Sequence, residues 1–399
     1  MRRWALGSAM AIFGANAMAS LAGCQASVPA PVVAPAPPVL VERQIITPDD
    51  GSTVRELRAR GEAALREQRW KDAIDAFSTL LASSRIADDP LVPLYLLDLG
   101  FAKEGLGDRA SARNSYLEIT QRFPASRDAR TAELRIVTLD DYLEDWVALG
   151  TDGVALLARA DLDDVDRLTG LGARALSRVE AGDDSLAMRD VQEGLDLVDK
   201  TSFGSTGRLP NGAAQLRFAL AEVRRARSER VALVPVTPDF LMKIELRCQG
   251  LLDAQSAYTD AMRAMEPHWT AMSAFRIGTM YGKLHEELMA IPPMAQAKTS
   301  AQRDLHFAMM HVRYRVLLEK GLEMMKRTAA LETQSADLGP WVLRAKAAEL
   351  QMSKDIEEEK MALAKLPYSE ATIQAALDDL QKKALTKQAR QAKQAAQHP

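Results

Sequence analysis

The chain has 399 residues, 47% hydrophobic and 26% charged, with 51 Lys and Arg set against 54 Asp and Glu. That length allows two or three hydrophobic cores, and the near balance of charge argues against a nucleic-acid partner. Only 5% of residues are aromatic, and few stretches alternate apolar and polar side chains as strands would, so the expected fold class is all-α.

Residues 1–23 read as a targeting segment that stays out of the fold. Arg2 and Arg3 form its positive end, an apolar run extends from Trp4 to Leu21, and Leu21-Ala22-Gly23-Cys24 closes it. A membrane-spanning helix needs about 20 strongly apolar residues, whereas Gly7, Ser8, Gly14, Asn16 and Ser20 dilute this run. The closing tetrapeptide resembles the bacterial lipobox. That resemblance implies cleavage before Cys24, a diacylglyceryl group on its sulfur and usually an acyl chain on its amine; a plain secretory signal or a retained anchor is the alternative. Each buried methylene adds about 0.8 kcal/mol, and two chains suffice for stable attachment. In proteobacterial lipoproteins an Asp after the cysteine favours the inner membrane; Gln25 stands there instead, which by the same resemblance implies the periplasmic face of the outer membrane. Losing Arg2 and Arg3 leaves 49 basic residues against 54 acidic ones, a formal charge of −5.

Residues 24–50 read as a tether. Val28-Pro-Ala-Pro31 and Ala34-Pro-Ala-Pro-Pro38 lean toward polyproline II, and at about 3 Å per residue some 25 residues can hold a body up to roughly 75 Å from a bilayer. The same prolines also fit the pattern of a ligand for an aromatic groove. Thr47-Pro-Asp-Asp-Gly-Ser52 marks the start of the folded part, with Ser52 or Thr53 as cap of the first helix.

Between 51 and 200 the pattern is helical and repetitive. Pairs of helices are expected at 53–68 with 70–84 and at 91–106 with 109–122. Gly61 and Gly100 are small where antiparallel helices must approach, as are Ala73 and Ala112, and Phe77 and Tyr116 fill the space one turn later. Leu57, Gly61, Trp70, Ala73-Ile74 and Phe77 in the first copy, with Leu96, Leu99-Gly100, Gly107-Asp108, Ala112, Tyr116 and Pro124 in the second, resemble the tetratricopeptide repeat. Ala73 and Ala112 are 39 residues apart, against about 34 in that family, and the excess falls in the turn around Ile86-Ala-Asp-Asp-Pro90, where insertion costs least.

The resemblance implies that the first helix of each unit lines a groove that holds a partner peptide. On this chain those positions are Arg55, Arg58, Glu62, Leu65 and Arg66, then Leu94, Leu97, Phe101 and Glu104. Three arginines on one wall can hold carboxylates through forked hydrogen bonds; a solvated charged face is the plainer reading. A single helix is expected from Asp128 to Leu149 with Trp146 near its end. Leu171, Ala175, Gly182-Asp183, Ala187 and Leu195 echo the repeat weakly, with Val191 in the aromatic position.

Residues 201–236 read as a divider: the loop Thr201 to Gly212, then a bridging helix at about 213–231. A C-terminal helical domain, a bundle or array, is expected over 237–366, with Thr237 as N-cap and Pro238 at the first helical position. Ile277, Tyr281, Leu284, Leu288 and Ile291 form one stripe that Pro292-Pro293 ends. Phe307, Met310, Tyr314, Leu317-Leu318, Leu322 and Met325 mark the next helix, and a third runs from about 340 to 364 with an acidic face at Asp355–Glu359. Ala254-Gln-Ser-Ala-Tyr258, Trp269, Phe275-Arg-Ile-Gly278, Tyr281, Pro292-Pro293 and Tyr314-Arg-Val-Leu-Leu-Glu-Lys320 resemble the C-terminal region of repeat lipoproteins from myxobacteria and their relatives. One member of that group serves the adventurous gliding-motility machinery. The tail 367–399 is Ala/Gln/Lys-rich, a frayed helix end or a contact for anionic polymers at about 1 kcal/mol per charge.

With Cys24 carrying lipid, Cys248 has no disulfide partner and reads as an inert thiol on a helix. His285-Glu286 begins a zinc-peptidase pattern, but Met289 stands where the second histidine belongs. His306 and His311 are five residues apart, roughly 140° around a helix, so no metal site is expected. Thirteen of 17 methionines lie beyond residue 237, as core filling or as an adaptable surface. No nucleophile elbow, phosphate loop or dinucleotide fingerprint is present. The expectation is a non-enzymatic lipoprotein scaffold with no cofactor beyond the lipid on Cys24 and no small-molecule substrate. Its partners would be other envelope proteins and the membrane, with gliding machinery as the leading setting that the resemblance implies. An assembly factor for outer-membrane barrels or secretion proteins is the alternative, and a cell-wall hydrolase is the alternative of another class.

Overall fold

The computed structural model describes residues 51–201, 203, 210–293, 298–333, 338–379, 382 and 386. The leader, Cys24, Gln25, the tether, most of the loop 201–212 and most of the basic tail lie outside the described residues. The chain divides into two units, Arg55–Leu377 and a second made of Met1–Val54 with Asp378–Pro399. In the second unit the described residues are all helical.

Four hairpins open the larger unit. They pair α1 (Gly51–Arg66) with α2 (Trp70–Leu81), α3 (Val92–Gly105) with α4 (Arg109–Arg122), α5 (Arg127–Tyr142) with α6 (Trp146–Leu157), and α7 (Asp164–Glu180) with α8 (Asp184–Thr201). One device makes all four turns. A residue in the left-handed region, Gln68, Gly107, Glu144 or Gly182, precedes the residue that starts the second helix. In three of them that next residue is an aspartate whose carboxylate accepts a free backbone N–H of the new helix: Asp108 from Ser111 at 3.1 Å, Asp145 from Ala148 at 3.0 Å, and Asp183 from Leu186 at 3.0 Å.

This turn corrects the expectation of one helix from 128 to 149. Glu144 takes φ 56° and Asp145 caps, so Trp146 is the first residue of α6 and no longer the end of its predecessor. Aligning the caps shows why the sequence hides this unit. In the first two hairpins a glycine faces a buried aromatic, Gly61 against Phe77 and Gly100 against Tyr116. At the equivalent positions the third has Val137 and Gly153, with large and small exchanged and Gly153 close to Ala173 and Gly170 of α7, and the fourth has Ala175 and Val191 in the original order.

Ion pairs cross from hairpin to hairpin. Arg113 on α4 reaches the buried Asp140 on α5 and, at 2.7 Å, Asp152 on α6; Arg130 on α5 holds Asp163, the N-cap of α7, at 2.7 Å. Such pairs fix register more than they add stability where they are exposed.

Beyond these lie α9 (Asn211–Glu229), α10 (Phe240–Met262), α11 (Pro267–Met289), α12 (Ser300–Ala329) and α13 (Gly339–Ala364), with residues 370–379 also helical. The α10–α11 turn repeats the earlier device: Met265 is left-handed and Glu266 accepts from Trp269 N at 2.8 Å. A capping box of Thr299 and Gln302 starts α12. One apolar cluster runs from Val137 on α5 to Val342 on α13, crossing the segment 201–236.

Several local expectations shift. The first helix begins at Gly51, before Ser52 and Thr53. Helix α10 starts at Phe240 with Asp239 as N-cap, because Thr237 spends its hydroxyl on the Asp239 carboxylate at 2.5 Å, leaving Thr237 and Pro238 in the preceding turn. Phe307 is 38% exposed, whereas Ile277, Tyr281, Leu284, Leu288 and Ile291 are buried as their stripe predicts. Among the described residues there is no strand, and no helix is long and apolar enough to cross a membrane.

Candidate functional site

The first helices of the first three hairpins, α1, α3 and α5, supply the candidate face. On α1, Arg55 and Arg66 are exposed, and Arg58, Glu62 and Leu65 are half-buried. Arg58 Nε donates to Glu62 Oε1 at 2.7 Å, an i,i+4 pair that leaves the net charge of this stretch to its other members. Arg66 sits in the last turn of its helix, where a cation complements the helix dipole.

The α3 positions have different fates. Leu94 and Phe101 are half-buried, and Phe101 meets Tyr116 edge to face at 6.0 Å with the Arg135 guanidinium 5.9 Å from its ring. Leu97 is buried, so it serves the core and presents nothing to a partner. Glu104 is already occupied: Tyr116 donates its hydroxyl to Oε1 at 2.5 Å, and Arg135 grips both oxygens in a fork. Burial, then the Glu104 charge, pushes the Tyr116 hydroxyl far above its usual range, so it stays a donor at any physiological pH. Glu104 therefore joins α3, α4 and α5 to one another.

The residue that sequence reading passed over is Asp98. Its carboxyl is pushed up to about 6 by burial first and then by the charges of Glu62 and Asp128, against which Arg58 pulls it down. Arg58 and Glu62 on α1, Asp98 on α3 and Asp128 on α5 thus share one electrostatic neighbourhood. The signal was present, since Leu94, Asp98 and Phe101 follow at four and three on one helical face. A desolvated carboxylate among other acids is a place where a partner's lysine or arginine gains more than it would in water.

Against known proteins, no protein family matches the chain, and no curated protein matches it. Among solved structures it resembles a tetratricopeptide repeat protein from Parabacteroides merdae, at 11% identity and a TM-score of 0.42, over 74% of this chain and all 100% of that one.

Proposed function

We propose that this chain is a non-catalytic scaffold that grips protein partners on the face built by α1, α3 and α5. What supports the reading is that Arg58 and Glu62, Asp98, and Asp128 come from three successive first helices, and that burial and the charges of Glu62 and Asp128 outweigh Arg58 in disfavouring the Asp98 carboxylate. A cationic segment of a partner protein would supply it. The leader and the Leu21-Ala22-Gly23-Cys24 motif support attachment through lipid on Cys24, and Gln25 supports the periplasmic face of the outer membrane. The likeness of residues 254–320 to myxobacterial repeat lipoproteins makes gliding-motility machinery the leading setting for that scaffold.

Three experiments test the parts. Asp98→Asn, which keeps the shape and removes the charge, lowers capture of the native partner; unchanged capture moves the binding surface elsewhere. A Cys24→Ala variant leaves the membrane fraction; continued sedimentation with membranes defeats the lipid anchor. On a peptidoglycan zymogram the purified chain leaves no clearing, and clearing would replace the scaffold with an envelope hydrolase.

A further inference from the structure

Two histidines that stand far apart in the chain meet at one carboxylate. His285 comes from α11, His311 from α12 and Glu359 from α13. His285 Nε2 lies 2.9 Å and His311 Nδ1 3.0 Å from the same oxygen, Glu359 Oε1, and one donor atom from each residue lies within 4.8 Å of the other two. His285 and Glu359 are buried, at 7% and 8% exposure, and His311 is half-buried.

The plain alternative is a pair of imidazolium–carboxylate ion pairs, which the two separations allow; what it leaves unexplained is the hydrogen bonding. Both ring nitrogens are close to Oε1, yet neither has the alignment of a hydrogen bond, and Glu359 Oε2 lacks one as well. Buried polar atoms left in this way are costly and call for a partner. The spacing is compatible with a metal ion: bonds of about 2.0–2.1 Å place neighbouring donors roughly 2.8–3.4 Å apart at octahedral to tetrahedral angles, and the separations of 2.9 and 3.0 Å fall within that range. Two imidazoles and one carboxylate suit a borderline transition ion; Mg²⁺ and Ca²⁺ prefer oxygen alone.

The surroundings fit an open site. His285, His311 and Glu359 border a cleft of about 890 Å³ whose wall also carries Glu286, Asp355 and Glu358. Arg315 approaches the other oxygen, its Nε 3.8 Å from Glu359 Oε2, and donates from Nη1 to Glu370 at 2.8 Å. Its charge lowers affinity for a cation, but it engages the oxygen turned away from the histidines and leaves Oε1 for the ion.

We propose that His285, His311 and Glu359 form a site for a divalent transition ion of the zinc class, which ties α11, α12 and α13 together and keeps coordination positions open to the cleft. Three protein ligands with a vacant fourth position is the arrangement that admits water or a donor from another molecule. The inference stands apart from the partner face on α1, α3 and α5, and either can fail without the other.

The test is titration of the untagged full chain, stripped with chelator, with zinc chloride in a calorimeter and by thermal melting. One Zn²⁺ per chain with micromolar or tighter affinity and a Zn²⁺-dependent rise in Tm are expected. Glu359→Gln, nearly the same shape, and His311→Ala should each weaken binding by more than about tenfold, a loss that even an outer partner's removal can cause. His306→Ala, outside the cluster, should bind as the wild type does. Circular dichroism of each variant separates loss of the site from loss of the fold, and Co²⁺ bound to the wild type should show the visible bands of nitrogen ligation. No Zn²⁺ binding by the wild type, equal binding by folded Glu359→Gln and His311→Ala, or an equal response to Ca²⁺ would overturn the assignment.

Discussion

Gly61 lies against the ring of Phe77 so closely that a methyl group built on it would stand 2.7 Å from Cζ. Phe77 is fully buried and cannot retreat. Gly61→Ala would gain about 1 kcal/mol of helix propensity and lose about 1–3 kcal/mol to overpacking, so the net effect is destabilising. Shortening the ring relieves the clash, so urea melts should show that Gly61→Ala with Phe77→Leu costs less than the two single changes added together. Simple additivity would mean that the two residues do not share the space assigned to them.

Asp98 gives the fold a pH dependence of definite sign. Its folded-state carboxyl titrates near 6, above the ordinary 3.8, so the folded chain holds that proton more tightly than the unfolded one. Ionisation of Asp98 therefore subtracts stability above about pH 6, and the loss disappears below the unfolded value. Asp98→Asn should raise Tm at pH 7.5, and its advantage should shrink toward pH 5. An advantage that does not change with pH would assign the effect to shape and not to charge.

Arg247 is wholly buried, with Nε 3.0 Å from Glu287 Oε2 and Nη1 donating to Ser228 Oγ at 2.7 Å. Removing the acid strands the guanidinium, which costs about 3–5 kcal/mol. Glu287→Ala should thus destabilise more than Arg247→Met, which removes the charge and keeps the volume. Chemical denaturation of the two variants decides it, and the reverse order would show that the pair is not what holds α10 to α11.

Burial pushes the Cys248 thiol above its usual range, and no described cysteine stands near enough in number or place to pair with it. Labelling of the native chain with a thiol reagent at pH 8 should be slow and should become fast on unfolding. Rapid native labelling would make this helix surface more open than its packing indicates.

Much of the architecture could be read in advance. The α11 stripe was legible because five apolar residues keep one helical phase and two prolines end it. The first two hairpins were legible because glycine faces an aromatic in both. The third was not, because Glu144 occupies a left-handed position usually given to glycine, and because Val137 and Gly153 reverse the order of large and small. The candidate face was legible in outline only. Periodicity selects a face, but it does not show that Leu97 turns inward or that Arg135, from the next hairpin, claims Glu104. The histidine cluster could not be seen at all, since its three residues come from three helices and adjacency in space leaves no mark on spacing along the chain.

The most direct test of the central claim is site-specific photo-crosslinking in cells of the native host. A photoreactive residue in place of Leu94, on the α3 face one turn from Asp98, should give discrete protein adducts that weaken when Cys24→Ala releases the chain from the membrane. The same residue at Gln121, exposed on α4, should give few. Adducts of equal yield from both positions, or none from position 94, would contradict a scaffold that works through its first-helix face.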